Sequence, residues 1–277
     1  GQTVRIPPVP EAKPREPTLK IRPEDQEFVQ DLVIYKDDDT IVLNKPSGLP
    51  TQGGTGVVRH VDGLLEGLRF GSEERPKLVH RLDKDTSGAL LIARTPRAAA
   101  FYSKAFKSRD TQKVYWAVVL GTPRPDVGEI RGWMKKASGP IDADREMVRR
   151  AAHGEKEALF AITDYAVISE AGTKAAWVGL KPVTGRTHQL RFHMAEAGTA
   201  ILGDRKYTCN LQVPLGLADG LHLHARGLDV PHPDGDRIRI VAPLSPHMRQ
   251  TFDALGFDER EQKDPFKLFF AAERGDR

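Results

Sequence analysis

The sequence predicts an α+β fold, a mixed and largely antiparallel central sheet flanked by helices. Three observations predict it. Short apolar runs rich in β-branched and aromatic residues recur at 32–44, 89–92, 114–120, 158–168, 174–183, 221–225 and 237–241. Helical spacing is confined to separated stretches, chiefly 96–107 and a segment running from Thr184 to just before Gly198. Strands and helices also intermix without a steady βαβ rhythm, which argues against a doubly wound parallel sheet.

Taken in order, residues 1–24 contain six prolines among charges of both signs, a composition that favours an extended linker. Residues 25–277 are then expected to form one domain, large enough to bury most of its surface without disulfides or metal. Residues 32–44 read as two strands around the acidic turn Asp37-Asp38-Asp39. Leu78-Val79 and Ala89-Leu90-Leu91-Ile92 read as two strands joined by the polar segment 80–88. Thr95-Pro96 is an N-cap followed by proline at the first helical position, and Ala98, Phe101, Tyr102 and Ala105 then share one helix face. The unbroken apolar run 114–120 suits a strand buried on both faces. Gly198 suits a helix C-cap, and Phe266, Leu268, Phe269 and Phe270 suggest a docking helix in the tail.

Composition narrows the functional classes. The single Cys209 fits a reducing compartment, no apolar run approaches the ~18 residues of a membrane span, and the first residues do not resemble a secretory signal. A cytoplasmic, non-membrane protein is the expectation; the oligomeric state has no signature. The net charge is only +4, but between Arg75 and Lys113 ten cations face three carboxylates. Such a concentrated positive field attracts polyanions. The glycine-rich loop at 53–56 lacks the Gly-Lys-Ser/Thr ending of a phosphate-binding loop, so a nucleotide cofactor is not expected. His188 and His193 lack zinc-ligand spacing, and His222 and His224 lack a third ligand, so both pairs read as structural and no metal is expected.

The most informative stretch is His80-Arg81-Leu82-Asp83-Lys84-Asp85-Thr86-Ser87-Gly88. A turn here projects a carboxylate from a rigid sheet edge, although Asp, Ser, Thr and Gly are also what plain turns use. Asp83 lies between Arg81 and Lys84, cations that favour its ionised form and suit it to act as nucleophile or base. Read whole, the string resembles the signature of the RluA-type family of pseudouridine synthases. Four further strings follow the order of that family: Val42-Leu43-Asn44-Lys45-Pro46-Ser47-Gly48, 113–121 (Lys-Val-Tyr-Trp-Ala-Val-Val-Leu-Gly), 182–191 (Pro-Val-Thr-Gly-Arg-Thr-His-Gln-Leu-Arg) and 221–225 (Leu-His-Leu-His-Ala).

The resemblance implies a pseudouridine synthase-like catalytic domain over 25–277, needing no cofactor and acting on structured RNA, with 23S-type ribosomal RNA as the expected partner. It implies Asp83 as the catalyst, Arg186 as the cation that pairs with and orients it, and Tyr115 as the ring that stacks on uracil or handles its proton. Arg81 inherits the role of a wedge filling the stack left by a flipped base, since a planar guanidinium stacks well. Leu190 is expected under the base, and Lys113 adds charge to the pocket. Family members often carry a small S4-type RNA-binding domain before such a linker, and nothing resembling one is present in this sequence.

Two other readings compete. A non-catalytic RNA-binding or ribosome-assembly module would use the same basic surface. Asp83-Lys84-Asp85 also resembles the Asp-x-Asp loop of magnesium-dependent aspartate phosphotransferases, but His80-Arg81 interrupts the buried strand that loop requires.

Overall fold

Every apolar run singled out above contributes to one sheet in the computed structural model, which describes residues 21–54, 57–108, 110–137 and 147–269. The elements are α1 (Pro23–Asp31), β1 (Val33–Lys36), β2 (Thr40–Lys45), α2 (Val61–Leu64), β3 (Lys77–Leu78), β4 (Ser87–Ala93), α3 (Pro96–Ala105) and β5 (Gln112–Leu120). They continue through β6 (Val127–Lys136), β7 (Val148–Ala151), β8 (Leu159–Ala171), β9 (Ala175–Pro182), α4 (Gln189–Glu196), β10 (Leu223–Pro231), β11 (Arg237–Val241) and α5 (Pro246–Leu255). The sheet runs β1-β2-β4-β10-β5-β9-β8-β6-β7, with β3 beside β4 and β11 beside β10. Among the described pairings only β4–β10 is parallel, so the mixed, largely antiparallel expectation holds.

Helices cover both faces at the centre. Val114, Trp116 and Val118 of β5 pack with Trp177 and α5 residues Met248 and Phe252. Trp116 and Trp177 are fully buried, edge to face at 4.6 Å, a geometry that adds about 0.5–1.5 kcal/mol beyond burial alone. Ala117 and Val119 point the other way, toward Leu190 and Met194 of α4. In α3, Thr95 Oγ accepts from the Ala98 N–H at 3.1 Å, and Ala98, Tyr102 and Ala105 are buried.

The structure departs from the sequence expectations at four places. Residues 1–20 of the expected linker lie outside the described residues, but α1 already begins at Pro23, which takes the first helical position. The long antiparallel β6 and its partner β7 carry glycines and charges that hide strand character; Gly128 is required where its backbone meets the Tyr165 ring, because a Cβ there would lie 2.8 Å from the phenol oxygen. The tail forms a short 3-10 turn at Pro265–Phe269 that buries Phe266 and Phe269 against the tryptophan cluster, while Phe270 is outside the described residues. Finally, α4 starts at Gln189, not Thr184. Residues 183 and 184 are still tied to Ile162 of β8, and the Gln189 carboxamide oxygen accepts from Thr184 Oγ (2.7 Å) and the Arg186 N–H (3.1 Å), holding a turn ahead of the helix.

Candidate active site

The parallel β4–β10 junction lies inside the sheet, between β2 and β5, and the loop that carries Asp83 leads directly into it. Ser87 pairs with His224 and Gly88 with Ala225. At Gly88 φ is +105° and a Cβ would lie 2.4 Å from the Ala225 carbonyl oxygen, so only glycine admits this approach. The Ser87 hydroxyl meets His224 Nδ1 at 2.9 Å, and both residues are fully buried.

The loop before the junction is gripped through its backbone. Lys45, fully buried at the end of β2, donates to the carbonyls of Pro46 (2.9 Å), Leu49 (2.8 Å) and Lys84 (2.9 Å). The Gly48 N–H reaches the same Lys84 carbonyl at 3.0 Å, and the Ser47 hydroxyl donates to the Asp85 carbonyl at 2.8 Å. Thr51 closes the cradle, donating to the Leu82 carbonyl (2.6 Å) and accepting from the Leu82 N–H (3.2 Å). Burial pushes the Lys45 ammonium down to about 7, against the opposing pull of Asp85 and Asp83. The Lys-Pro-Ser-Gly string thus fixes the residues on both sides of Asp83.

Asp83 opens onto a cleft of about 300 Å³ whose lining includes Arg81, Lys113, Tyr115, Arg186, Leu190 and Arg191. All six predicted site residues therefore converge on one cavity. Arg81 is exposed at its rim, while Leu190 is buried and also belongs to the core beneath the cleft. Tyr115 projects from β5 on the cleft side; burial first, then the charge of Asp83, push its hydroxyl well above the ordinary tyrosine range. Burial pushes the Lys113 ammonium down. His80, which precedes the rim, is not available as an acid: burial and then Lys113 hold it down to about 3, and its Nε2 accepts the Leu91 N–H at 2.8 Å while the ring stacks on Phe106.

The expected Arg186–Asp83 pair is not formed. Arg186 lies in the exposed turn before α4, and its Nε donates to the Phe160 carbonyl at 3.2 Å. The turn that delays the helix also carries Arg186 away from the position the resemblance implied. The buried guanidinium influenced by Asp83 is Arg191, one turn into the segment. Burial opposes its charge, but Asp204 outweighs this through bonds from Nε and Nη at 2.7 Å each, and Asp83 adds in the same direction, so the charge is held firmly. Asp204 is itself saturated by the N–H groups of Lys206 (2.8 Å) and Tyr207 (3.0 Å).

His188 is the second residue that sequence reasoning misplaced. It is not on the helix and not remote from the chemistry: its Nε2 lies 3.9 Å from Asp83 Oδ2. Its backbone is left-handed at φ 53°, a conformation that costs a non-glycine residue about 1 kcal/mol and is typically retained at working sites. The structural reading of His193, His222 and His224 stands: each is buried with a hydrogen-bond partner. Among the described residues, one group has metal-ligand proximity, Asp39, His232 and Asp234, and it is occupied by the guanidinium of Arg97, which bonds both aspartates.

The missed residues left partial signals. Arg191 stands between Leu190 and Phe192 in an apolar helix, and a cation so placed needs a buried anion. Nothing in the sequence marks Lys45 as buried.

Comparisons with known proteins give the family. Residues 39–196 match the family described as RNA pseudouridylate synthase. The chain is 35% identical to a protein of Arabidopsis thaliana named RNA pseudouridine synthase 4, mitochondrial, covering 84% of this chain and 61% of that one. It is 35% identical to the ribosomal large subunit pseudouridine synthase C of Salmonella typhi, over 92% of this chain and 79% of that one. The solved structure of human RNA Pseudouridylate Synthase Domain Containing 4 superposes with a TM-score of 0.70 at 27% identity, covering 85% of this chain and 98% of that chain. The chain thus spans less than two thirds of the first of these relatives.

Proposed function

Because the chain belongs to the RNA pseudouridylate synthase family, we propose that it isomerises specific uridines of RNA to pseudouridine, with Asp83 as the catalytic carboxylate. The observation that carries this reading is Asp83 itself: a carboxylate on a backbone-clamped loop, facing a nucleoside-sized cleft with the buried Arg191 and the ring of Tyr115 beside it.

The reaction needs the bond between uracil N1 and the sugar C1′ to break, the base to turn, and C5 to join C1′ with loss of the C5 proton. No net redox change or group donor is involved. Asp83 attacks the sugar or assists elimination from it, and Arg191, whose charge Asp204 secures, presents a fixed positive charge to that carboxylate. Tyr115 holds its own proton in the free protein and offers its face to the base. Leu190 supports the ring from below, and Arg81 at the rim fills the gap left by the flipped nucleotide, offsetting part of an unstacking cost of a few kcal/mol. Arg186 is assigned to a phosphate near the mouth of the cleft, a contact that positions RNA.

Large-subunit ribosomal RNA is the proposed substrate, in line with the name of the Salmonella typhi relative, and the compartment is proposed to be wherever that RNA is assembled. Among the described residues no helix is long and apolar enough to cross a membrane. The test is tritium release from unmodified ribosomal RNA carrying uridine labelled at C5, in EDTA, with wild type and Asp83→Asn. Release by wild type alone supports the reading. Equal function of both proteins in binding and assembly, with no release, would replace it with a binding module; no release together with a phosphoryl-transfer activity that EDTA abolishes would point to the phosphotransferase alternative.

A further inference from the structure

A chain of polar contacts runs behind Asp83. The Val148 N–H, on β7, donates to Tyr207 Oη at 2.8 Å. Tyr207 Oη lies 2.9 Å from His188 Nδ1, and His188 Nε2 lies 3.9 Å from Asp83 Oδ2. The tyrosine oxygen accepts from Val148, an arrangement in which its single hydrogen can point at Nδ1. Burial pushes the Tyr207 hydroxyl up to about 12, so it keeps that hydrogen near neutral pH. A neutral imidazole that accepts at Nδ1 carries its proton on Nε2, the nitrogen turned toward Asp83.

The ring is also held sterically. Tyr207 is buried and meets His188 and Phe192 edge-on, with the Arg191 guanidinium 5.3 Å from its centroid. The left-handed backbone at His188 turns the side chain toward the cleft from the N-terminal edge of α4.

We propose that His188 and Tyr207 are positioning residues for Asp83, a relay anchored on β7 that presents a neutral N–H donor to the carboxylate. The inference rests on the catalytic reading of Asp83 given above. The gap of 3.9 Å is longer than a hydrogen bond. Contacts of this kind tighten when substrate fills the site. A neutral donor orients the carboxylate without adding a second cation beside it, so Asp83 keeps its nucleophilicity. Among the described residues, the other charged groups on this cleft are Arg81, Lys113, Arg186 and Arg191, with the neutral His80 behind the rim.

The test compares wild type, Tyr207→Phe, His188→Gln and His188→Ala. Tyr207→Phe keeps the ring packing and removes only the hydroxyl. Single-turnover tritium release is expected to fall about tenfold with unchanged RNA affinity. The loss should deepen below about pH 6.5, because a histidine freed from its donor takes up a second proton. His188→Gln, which retains an N–H donor, should recover most of the rate that His188→Ala loses. A loss that is the same at every pH, or one matched by weakened RNA binding, would overturn the relay. Nitrogen NMR of the His188 ring reads the relay without any activity: the wild-type ring should be protonated at Nε2 alone, and Tyr207→Phe should let it titrate. A wild-type ring protonated at Nδ1 would also overturn it. If wild type releases no tritium while the ring behaves as expected, the relay stands and the catalytic reading falls.

Discussion

Lys45 Nζ lies 2.9 Å from the carbonyl oxygen of Lys84, the residue that follows Asp83. One buried ammonium therefore binds the end of β2 to the loop that carries the proposed catalytic carboxylate. Its two other hydrogen bonds, to Pro46 and Leu49, leave none of its three donors unused.

Replacing that side chain with methionine keeps its volume and removes all three donors. The Lys84 carbonyl keeps the Gly48 N–H, but those of Pro46 and Leu49 lose this donor; at about 1–3 kcal/mol for each when nothing relaxes, Lys45→Met is expected to lose about 3 kcal/mol in urea unfolding. Turnover should fall further than stability alone accounts for, measured under conditions where the variant is fully folded.

Lys45 also predicts a pH trend. Its folded value of about 7 is below the ordinary lysine value of 10.5, so between these limits the unfolded chain binds more protons. By linkage, its contribution makes the fold more stable as pH rises from about 7 toward 10. Denaturant titrations should show a steeper positive slope in wild type than in Lys45→Met, the lowered Lys113 contributing equally to both.

Arg186 and Arg191 separate cleanly. Arg186→Ala removes an exposed side chain and should change stability by less than about 0.5 kcal/mol. Its effect belongs in KM, through lost RNA contact, with kcat retained. Arg191→Gln removes the buried charge beside Asp83 and should lower kcat by about a hundredfold. Asp204→Ala, which leaves Arg191 buried without its carboxylate, is expected to cost about 3–5 kcal/mol in unfolding free energy.

The buried histidines set the acid limb of stability. Burial holds His80 down to about 3 and His193 and His222 down to about 4, below the ordinary value of 6.5. Their stabilisation is complete above the unfolded value and is lost as pH falls toward the folded one, at about 1.4 kcal/mol per pH unit for each ring. Stability should decline from about pH 6.5 downward, before most carboxylates titrate. His80→Gln keeps an acceptor for the Leu91 N–H and should reduce that slope by one ring's share.

Much of this molecule was legible because its signals are local. The apolar run at 114–120, the Thr95-Pro96 cap and the Asp37 turn each announce an element within ten residues. The cleft residues were legible as a set, since Arg81, Asp83, Lys113, Tyr115, Arg186 and Leu190 all line it. What stayed hidden depends on contacts between distant segments. Arg186 and Arg191 lie in one string, and only the tether from Gln189 to Thr184 and the pairing with Asp204 distinguish the exposed one from the buried one. His188 looked structural because its left-handed turn, which aims it at Asp83, leaves no mark in the sequence. β6 hid its strand character behind Gly128, Gly132 and alternating charges.

The parallel seam between β4 and β10 joins residues 136 or more positions apart, Ser87 to Leu223 and His224. Contacts this distant in sequence are the last to be available as a chain emerges from synthesis. Until residues 223–231 arrive, the strand behind Asp83 has one open edge and Gly88 has no backbone to meet. Arg191, His188 and Tyr207 likewise follow more than a hundred residues after the carboxylate they surround. A nascent chain therefore exposes its signature loop long before the residues that surround that loop have been made.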